Sequence, residues 1–185
     1  MAAARKRPGG AARSETRVGT KTRSAGGRIT YELMAYTTAD ARQQLLDTLA
    51  AAIEEIASAL ASLGEAYEHL DEQKADKLEQ ELFRPVQMAY GRAKRTHAEF
   101  ARRHGLPERP FEPAAPGAPS QGVKGFLSSA VEAVGRADGA LATLQDSMLP
   151  IEVGDAELRA GLQDVRRLIG DLPGQAHQLL RTLGR

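Results

Sequence analysis

From Leu46 to Leu70 the large apolar residues fall at Leu46, Leu49, Ile53, Ile56, Leu60, Leu63, Tyr67 and Leu70, in steps of 3, 4, 3, 4, 3, 4 and 3, with Ala and Ser filling the gaps. Only an α-helix gathers such residues on one stripe, and a stripe this long needs other helices to cover it. Upstream, Ile29 to Tyr36 forms a short apolar lead-in. Thr37 then reads as an N-cap, with Asp40 three residues on in the place of a capping-box acid. The first long helix is therefore predicted over residues 38–70, about 50 Å at 1.5 Å per residue.

A second helix is predicted over residues 71–104, with Asp71 as its cap and Glu72 where an acid favours the helix N-terminus. No Gly or Pro marks that junction, so a single helix continuing to Arg84 stays open. From Ala75 the seam reads Leu78, Leu82, Val86, Ala89, Ala93, Thr96 and Phe100, in steps of 3, 4, 4, 3, 4, 3 and 4. The extra step of 4 is a stutter beside Pro85, where a helix interior must kink, and Gly105 closes the helix.

Residues 105–121 form a linker with prolines at 107, 110, 113, 116 and 119. Polyproline II has three residues per turn, so this spacing lines all five rings along one edge of an extended rod on the order of 40 Å long. Such a rod serves as a crossover strap that returns the chain to the far end of a bundle; a docking motif for a proline-reading domain is the alternative.

A third helix is predicted over residues 122–148 with the seam Val123, Leu127, Ala130, Val134, Ala137, Leu141, Leu144 and Met148. Gly135 and Gly139, four apart, cost helix stability and point to a close approach of helices. Pro150 and Gly154 make a turn, and Asp155 caps a fourth helix over residues 155–183, with the seam Leu158, Leu162, Val165, Ile169, Leu172, Ala176, Leu179 and Leu183. That register survives Gly170, Pro173 and Gly174, which predicts a kink and not a reversal. Four helices with matched heptad-type seams predict an all-α four-helix bundle as a single domain over residues 29–185.

Composition narrows this further. At 185 residues the chain is long enough for one domain with a real core, and a core with 4 Phe, 4 Tyr and no Trp suits closely packed helices. With no cysteine there are no disulfides or thiolate metal sites, and a reducing cytoplasm is the expected location. No apolar run approaches 18 residues and no signal-peptide pattern is present, so no membrane span is expected. The Ala-, Arg-, Gly- and Leu-rich composition is of the kind GC-rich bacterial genomes encode.

Charge is lopsided although the net is only +1. Residues 1–30 hold eight basic residues against Glu15, residues 40–81 hold eleven acids against Arg42, Lys74 and Lys77, and residues 84–109 hold seven basic residues against Glu99 and Glu108. Residues 1–28, with Val18 as their large apolar residue, cannot bury enough surface to offset ordering, and predict a disordered basic tail.

Candidate chemistry is sparse. A di-iron bundle needs E-x-x-H on two helices, but the residues three before His69, His97, His104 and His177 are Ala66, Lys94, Ala101 and Gly174. There is no P-loop, no G-x-G-x-x-G, no G-x-S-x-G and no H-E-x-x-H, so neither an enzyme nor a cofactor or metal site is expected. Two features on helix two remain. Arg92, Lys94, Arg95, Arg102 and Arg103 form a basic cluster: either a solvated face paired with acids of helix one, or contacts to a partner or to phosphate. Phe83, Tyr90, His97 and His104, spaced by sevens, form a second stripe that widens the buried face or meets a partner. These features predict a non-enzymatic bundle that works through protein contacts or self-association, as a scaffold, adaptor or assembly component. The alternative is a sequence-independent nucleic-acid binder that uses the tail and the helix-two cluster.

Overall fold

The computed structural model describes the backbone of residues 25–183 and the side chains of residues 37–182, so the tail predicted over 1–28 lies outside the described residues up to position 24. Its last four residues are the first turn of α1 (Ala25–Glu68). The start predicted at Thr38, with Thr37 as cap, therefore falls inside a helix. The physical reason is that no Gly or Pro stands between Arg28 and Thr38, and an existing helix extends at the cost of ordering one residue per added bond.

α1 ends at a turn, and Asp71 caps α2 (Glu72–Leu78), its carboxylate accepting the Lys74 backbone N–H at 3.0 Å. The chain is thus broken at Leu70–Asp71. A π-helical turn, Glu79–Phe83, leads from α2 into α3 (Arg84–His104). Pro85 accounts for it: a proline offers no N–H and its ring crowds the carbonyl four residues back, and a widened turn relieves both. The stutter in the seam is this extra residue, and Leu82 and Val86 on either side stay buried. α3 stops at Gly105, whose φ of 64° suits a residue without Cβ, and the Leu106 N–H closes back on Ala101 O at 2.9 Å.

Residues 106–118 carry no helix. They climb along α1: Arg109 pairs with Glu54, and Pro113 and Ala114 lie against Ala57, Leu60, Ala61 and Tyr90. The fifth proline, Pro119, departs from the extended segment and opens a 3-10 turn, Pro119–Gln121, in front of α4 (Gly122–Asp146). α4 ends two residues before the predicted Met148, because Ser147 is extended. Met148 is accordingly 56% exposed and no part of the seam. A single turn, α5 (Leu149–Glu152), follows.

The fourth predicted helix is two, α6 (Ala156–Ile169) and α7 (Leu172–Leu183), separated at Gly170–Asp171, where Pro173 cannot extend the hydrogen-bond ladder of α6. Both keep the register: Ile169, Leu172, Ala176 and Leu179 are all buried. The described residues are all-helical, without a strand, and five helices of 12 residues or more carry the packing in place of the four predicted.

α1 lies along α4 and α3 along α6, while α1 also meets α3, and α4 meets α6 and α7. His69 at the end of α1 stacks on Phe126 at the start of α4, with centroids 6.1 Å apart, so these two run antiparallel. Arg103 at the end of α3 grips Asp155 at the start of α6, so that pair is antiparallel too. One core runs throughout, from Ile53 and Ile56 through Phe100 and Leu141 to Val165. α1 is buried more broadly than its seam: Leu45, Ala52, Ala59 and Ala66, spaced by sevens, are also inside, while Tyr67 of the predicted seam is 36% exposed. Small residues at that spacing let α4 approach closely.

The close approach predicted at Gly135 and Gly139 is not there: a Cβ at either would meet nothing within 4 Å. It occurs instead at Gly161 of α6, where an added Cβ would stand 2.6 Å from Thr96 Cγ2 and 3.0 Å from Thr96 Cβ of α3. Both predicted glycines point away from the bundle, as their exposed surfaces show. Among the described residues no helix is long and apolar enough to cross a membrane.

Candidate functional site

The helix-two residues singled out by spacing are dealt onto different faces once α3 is packed. Of the basic cluster, Arg103 donates to both carboxylate oxygens of Asp155, from Nε at 2.8 Å and Nη2 at 2.9 Å. Arg92 reaches Asp164 at 3.2 Å. Lys94 sits over the Tyr90 ring, 5.0 Å from its centroid. Arg95 and Arg102 make no ion pair among the described residues. The acids that pair with this cluster come from α6 and not, as expected, from the first helix. The reason is that α3 presents its arginine face to α6, while its other flank meets α1 and the 106–118 segment.

The stripe of sevens divides likewise. Phe83 is half-buried and shares a small cleft of about 220 Å³ with Gly64, Tyr67, Glu68 and Glu79. Tyr90 lines a cleft of about 240 Å³ under Pro113 and Ala114. His97 is buried, edge-on to Phe111 of the extended segment, with ring centroids 5.2 Å apart and planes at 88°. Burial, and then the nearby Arg109 charge, hold the His97 pKa below its ordinary value, against the pull of Asp47. His104 packs 4.4 Å from the Phe100 ring and reaches Asp155 Oδ2 at 3.2 Å. Asp155 thus caps α6 through the Leu158 N–H at 2.8 Å while Arg103 and His104 hold it from α3. Partial burial raises its pKa, but the bonds from Arg103, Leu158 and His104 outweigh this and keep it below the usual carboxylate range.

One open site unites part of the cluster with residues that the spacing did not single out. A groove of about 390 Å³ runs between α3 and α6, lined by Gln87, Met88, Gly91, Arg92, Arg95, Asp164, Arg167 and Leu168. On α3, Met88, Gly91, Arg92 and Arg95 follow at helical i, i+3, i+4 and i+7 spacing and share one face. On α6, Asp164, Arg167 and Leu168 do the same. Gly91 forms the floor without a side chain, and the Arg95 guanidinium lies over it, its Nη1 3.6 Å from where a Cβ would stand. Asp164 stands between two guanidinium groups, accepting from Arg167 at 3.0 Å and pairing with Arg92 at 3.2 Å. Arg92 is held by one nitrogen alone, its Nε enclosed without a hydrogen-bond partner among the described residues. Met88 is 56% exposed, and the Arg167 side chain 75%.

Because α3 and α6 are antiparallel, Met88 lies level with Leu168 at one end, and Arg95 lies towards Asp164 at the other. The groove therefore joins an apolar end to a cationic stretch, in which Arg92 and Arg167 pair with Asp164 and the Arg95 guanidinium lies over Gly91. Its lining offers shape, apolar contact and charge, and no nucleophile–base pair lines it. Among the described residues, no three His, Cys, Asp or Glu side chains gather as a metal site would require. Comparison with known proteins finds no matching family model, no matching characterised protein and no matching solved structure.

Proposed function

We propose that this chain is an all-helical bundle without a catalytic centre of its own, working as a scaffold, adaptor or assembly component through protein contacts made at the α3–α6 groove. The carrying observation is the amphiphilic lining: Met88, more than half exposed, beside Leu168, and Arg95, which has no ion-pair partner among the described residues. Exposed methionine adapts to a partner surface at little packing cost, and arginine is the cation best suited to contact interfaces. Nucleic-acid binding through the same cluster is the second reading, favoured by the eight basic residues within 1–30. Against it, Arg92 and Arg103 are already paired with Asp164 and Asp155, and no aromatic ring lines the groove for base stacking.

A photo-crosslinking amino acid in place of Met88, in the full-length chain in its native cell, tests the reading. A discrete protein adduct that vanishes when Gly91→Leu fills the groove is the expected result. An adduct to nucleic acid, or no adduct at all, would refute protein contact at this face.

A further inference from the structure

The geometry points to a specific partner chemistry, and this rests on the protein-contact reading: we infer that the α3–α6 groove takes an acidic segment of a partner protein that carries an apolar side chain about one helical turn from its carboxylates. The spacing follows from the helix: the Arg95 guanidinium folds back along α3 to Gly91, 3.6 Å from where a Cβ there would stand, and Gly91 is three residues from Met88, about 4.5 Å at 1.5 Å per residue. That is one turn of a docked helix, whose apolar and acidic side chains then stand three or four residues apart. An apolar side chain of the partner covers Met88 and Leu168, while its carboxylates meet Arg95 and the outer arm of Arg167.

Arginine offers a planar pair of donors that matches a carboxylate, so Arg95 is a ready donor to one. Asp164 decides between anions. Its carboxylate already stands between Arg92 and Arg167, so a phosphate carrying close to two negative charges meets it at short range and is repelled, whereas a single carboxylate placed at Arg95 is offset from it. The apolar end has no use for an inorganic anion or a sugar-phosphate backbone. The chain's own residues 1–24 are excluded as occupant by charge, since they hold seven basic residues against Glu15. Gly91 completes the site: without a side chain there, the Arg95 guanidinium can lie back over the helix, and a large residue would fill the floor and displace it.

Four fluorescein-labelled 12-residue peptides test this against the full-length protein by anisotropy: one with Leu and Glu at i, i+3, i+4 and i+7, one with Lys for Glu, one with Ala for Leu, and one with Gln for Glu. Inorganic phosphate and a duplex DNA oligonucleotide serve as competitors. Only the Leu/Glu peptide should bind, and it should lose about tenfold in affinity or more when Arg95 and Arg167 are both changed to Gln, the loss expected for two charge-assisted contacts. Gly91→Leu should abolish binding, with its thermal midpoint checked. Asp164→Asn should tighten the Leu/Glu peptide, because it removes the one repelling carboxylate, and a merely structural role for Asp164 would not do so. Binding of the Lys or Gln peptide as tightly as the Glu peptide, displacement by phosphate or DNA, or no peptide binding at all would overturn the inference. The Met88 crosslink is independent of peptide chemistry, so a protein adduct combined with failure of the acidic peptide removes the partner class and leaves the contact function standing.

Discussion

Adding a single methyl group to Gly161 measures how closely α3 and α6 are packed. The new Cβ would lie 2.6 Å from Thr96 Cγ2 and 3.0 Å from Thr96 Cβ, against an ordinary contact of 3.4–4 Å. Thr96 cannot turn away freely. It is β-branched and stiff at χ1, it is buried, and its hydroxyl donates to Arg92 O at 2.9 Å. The helices must part by several tenths of an ångström in a region held by Phe100, Leu162 and Val165, all fully buried. Overpacking of this kind costs about 2–3 kcal/mol, and the better helix propensity of Ala returns about 1 kcal/mol. The net expectation for Gly161→Ala is a loss of about 1–2 kcal/mol, or a fall in Tm of about 3–6 °C for a chain of this size. Gly135→Ala and Gly139→Ala, facing open space, should each stabilise by about 0.5–1 kcal/mol. Urea unfolding of the three variants, with a shared m-value, gives the comparison. Thr96→Ala in the Gly161→Ala background should recover most of the loss, a coupling that a double-mutant cycle reads directly. A Gly161→Ala protein as stable as the parent, or a destabilised Gly135→Ala protein, would refute the packing described here.

Three further outcomes are expected. Ile56→Ala and Leu141→Ala, both at fully buried positions, should each cost about 2–5 kcal/mol in urea or thermal unfolding. Asp155→Ala should cost about 0.5–2 kcal/mol for the lost cap alone and more for the freed Arg103, whereas Asp155→Asn, which keeps a cap, should cost less. Its folded pKa lies below the ordinary 3.8, so its contribution is complete above that value and is lost as pH falls through the folded pKa, a loss both variants lack. His97 acts at higher pH: its folded pKa is held below 6.5, mainly by burial, so the unfolded imidazole gains a proton first as pH falls. Stability should therefore be level above about 6.5 and decline below it until the folded pKa is reached, and unfolding of His97→Gln across pH 5–8 should lack that decline.

The all-helical class was legible along the chain, because helical periodicity is a local property that each segment carries on its own. Leu78, Leu82, Val86 and Phe100 are inside, and so are Leu158, Leu162 and Val165, at the spacings that single them out. Local signals with a local cause were legible too: Asp71 and Asp155 cap helices because their carboxylates need only the N–H three residues on, and Gly105 stops α3 because its own φ is positive. Where a local signal met a cooperative one it lost, as at Thr37, which an unbroken α1 runs through.

What tertiary structure alone decided is every relation between residues far apart in sequence. Gly135, Gly139 and Gly161 look alike as letters, and only the approach of Thr96 from another helix sets the last apart. Arg92, Arg95 and Arg103 read as one cluster along α3, yet acids at 155 and 164 take two of them and leave the third in a groove. Asp164, Arg167 and Leu168 carry no mark of a site in their own segment. They become one because antiparallel packing sets them opposite Met88 and Arg95, and a contact across helices is fixed by how side chains interlock and not by spacing along the chain.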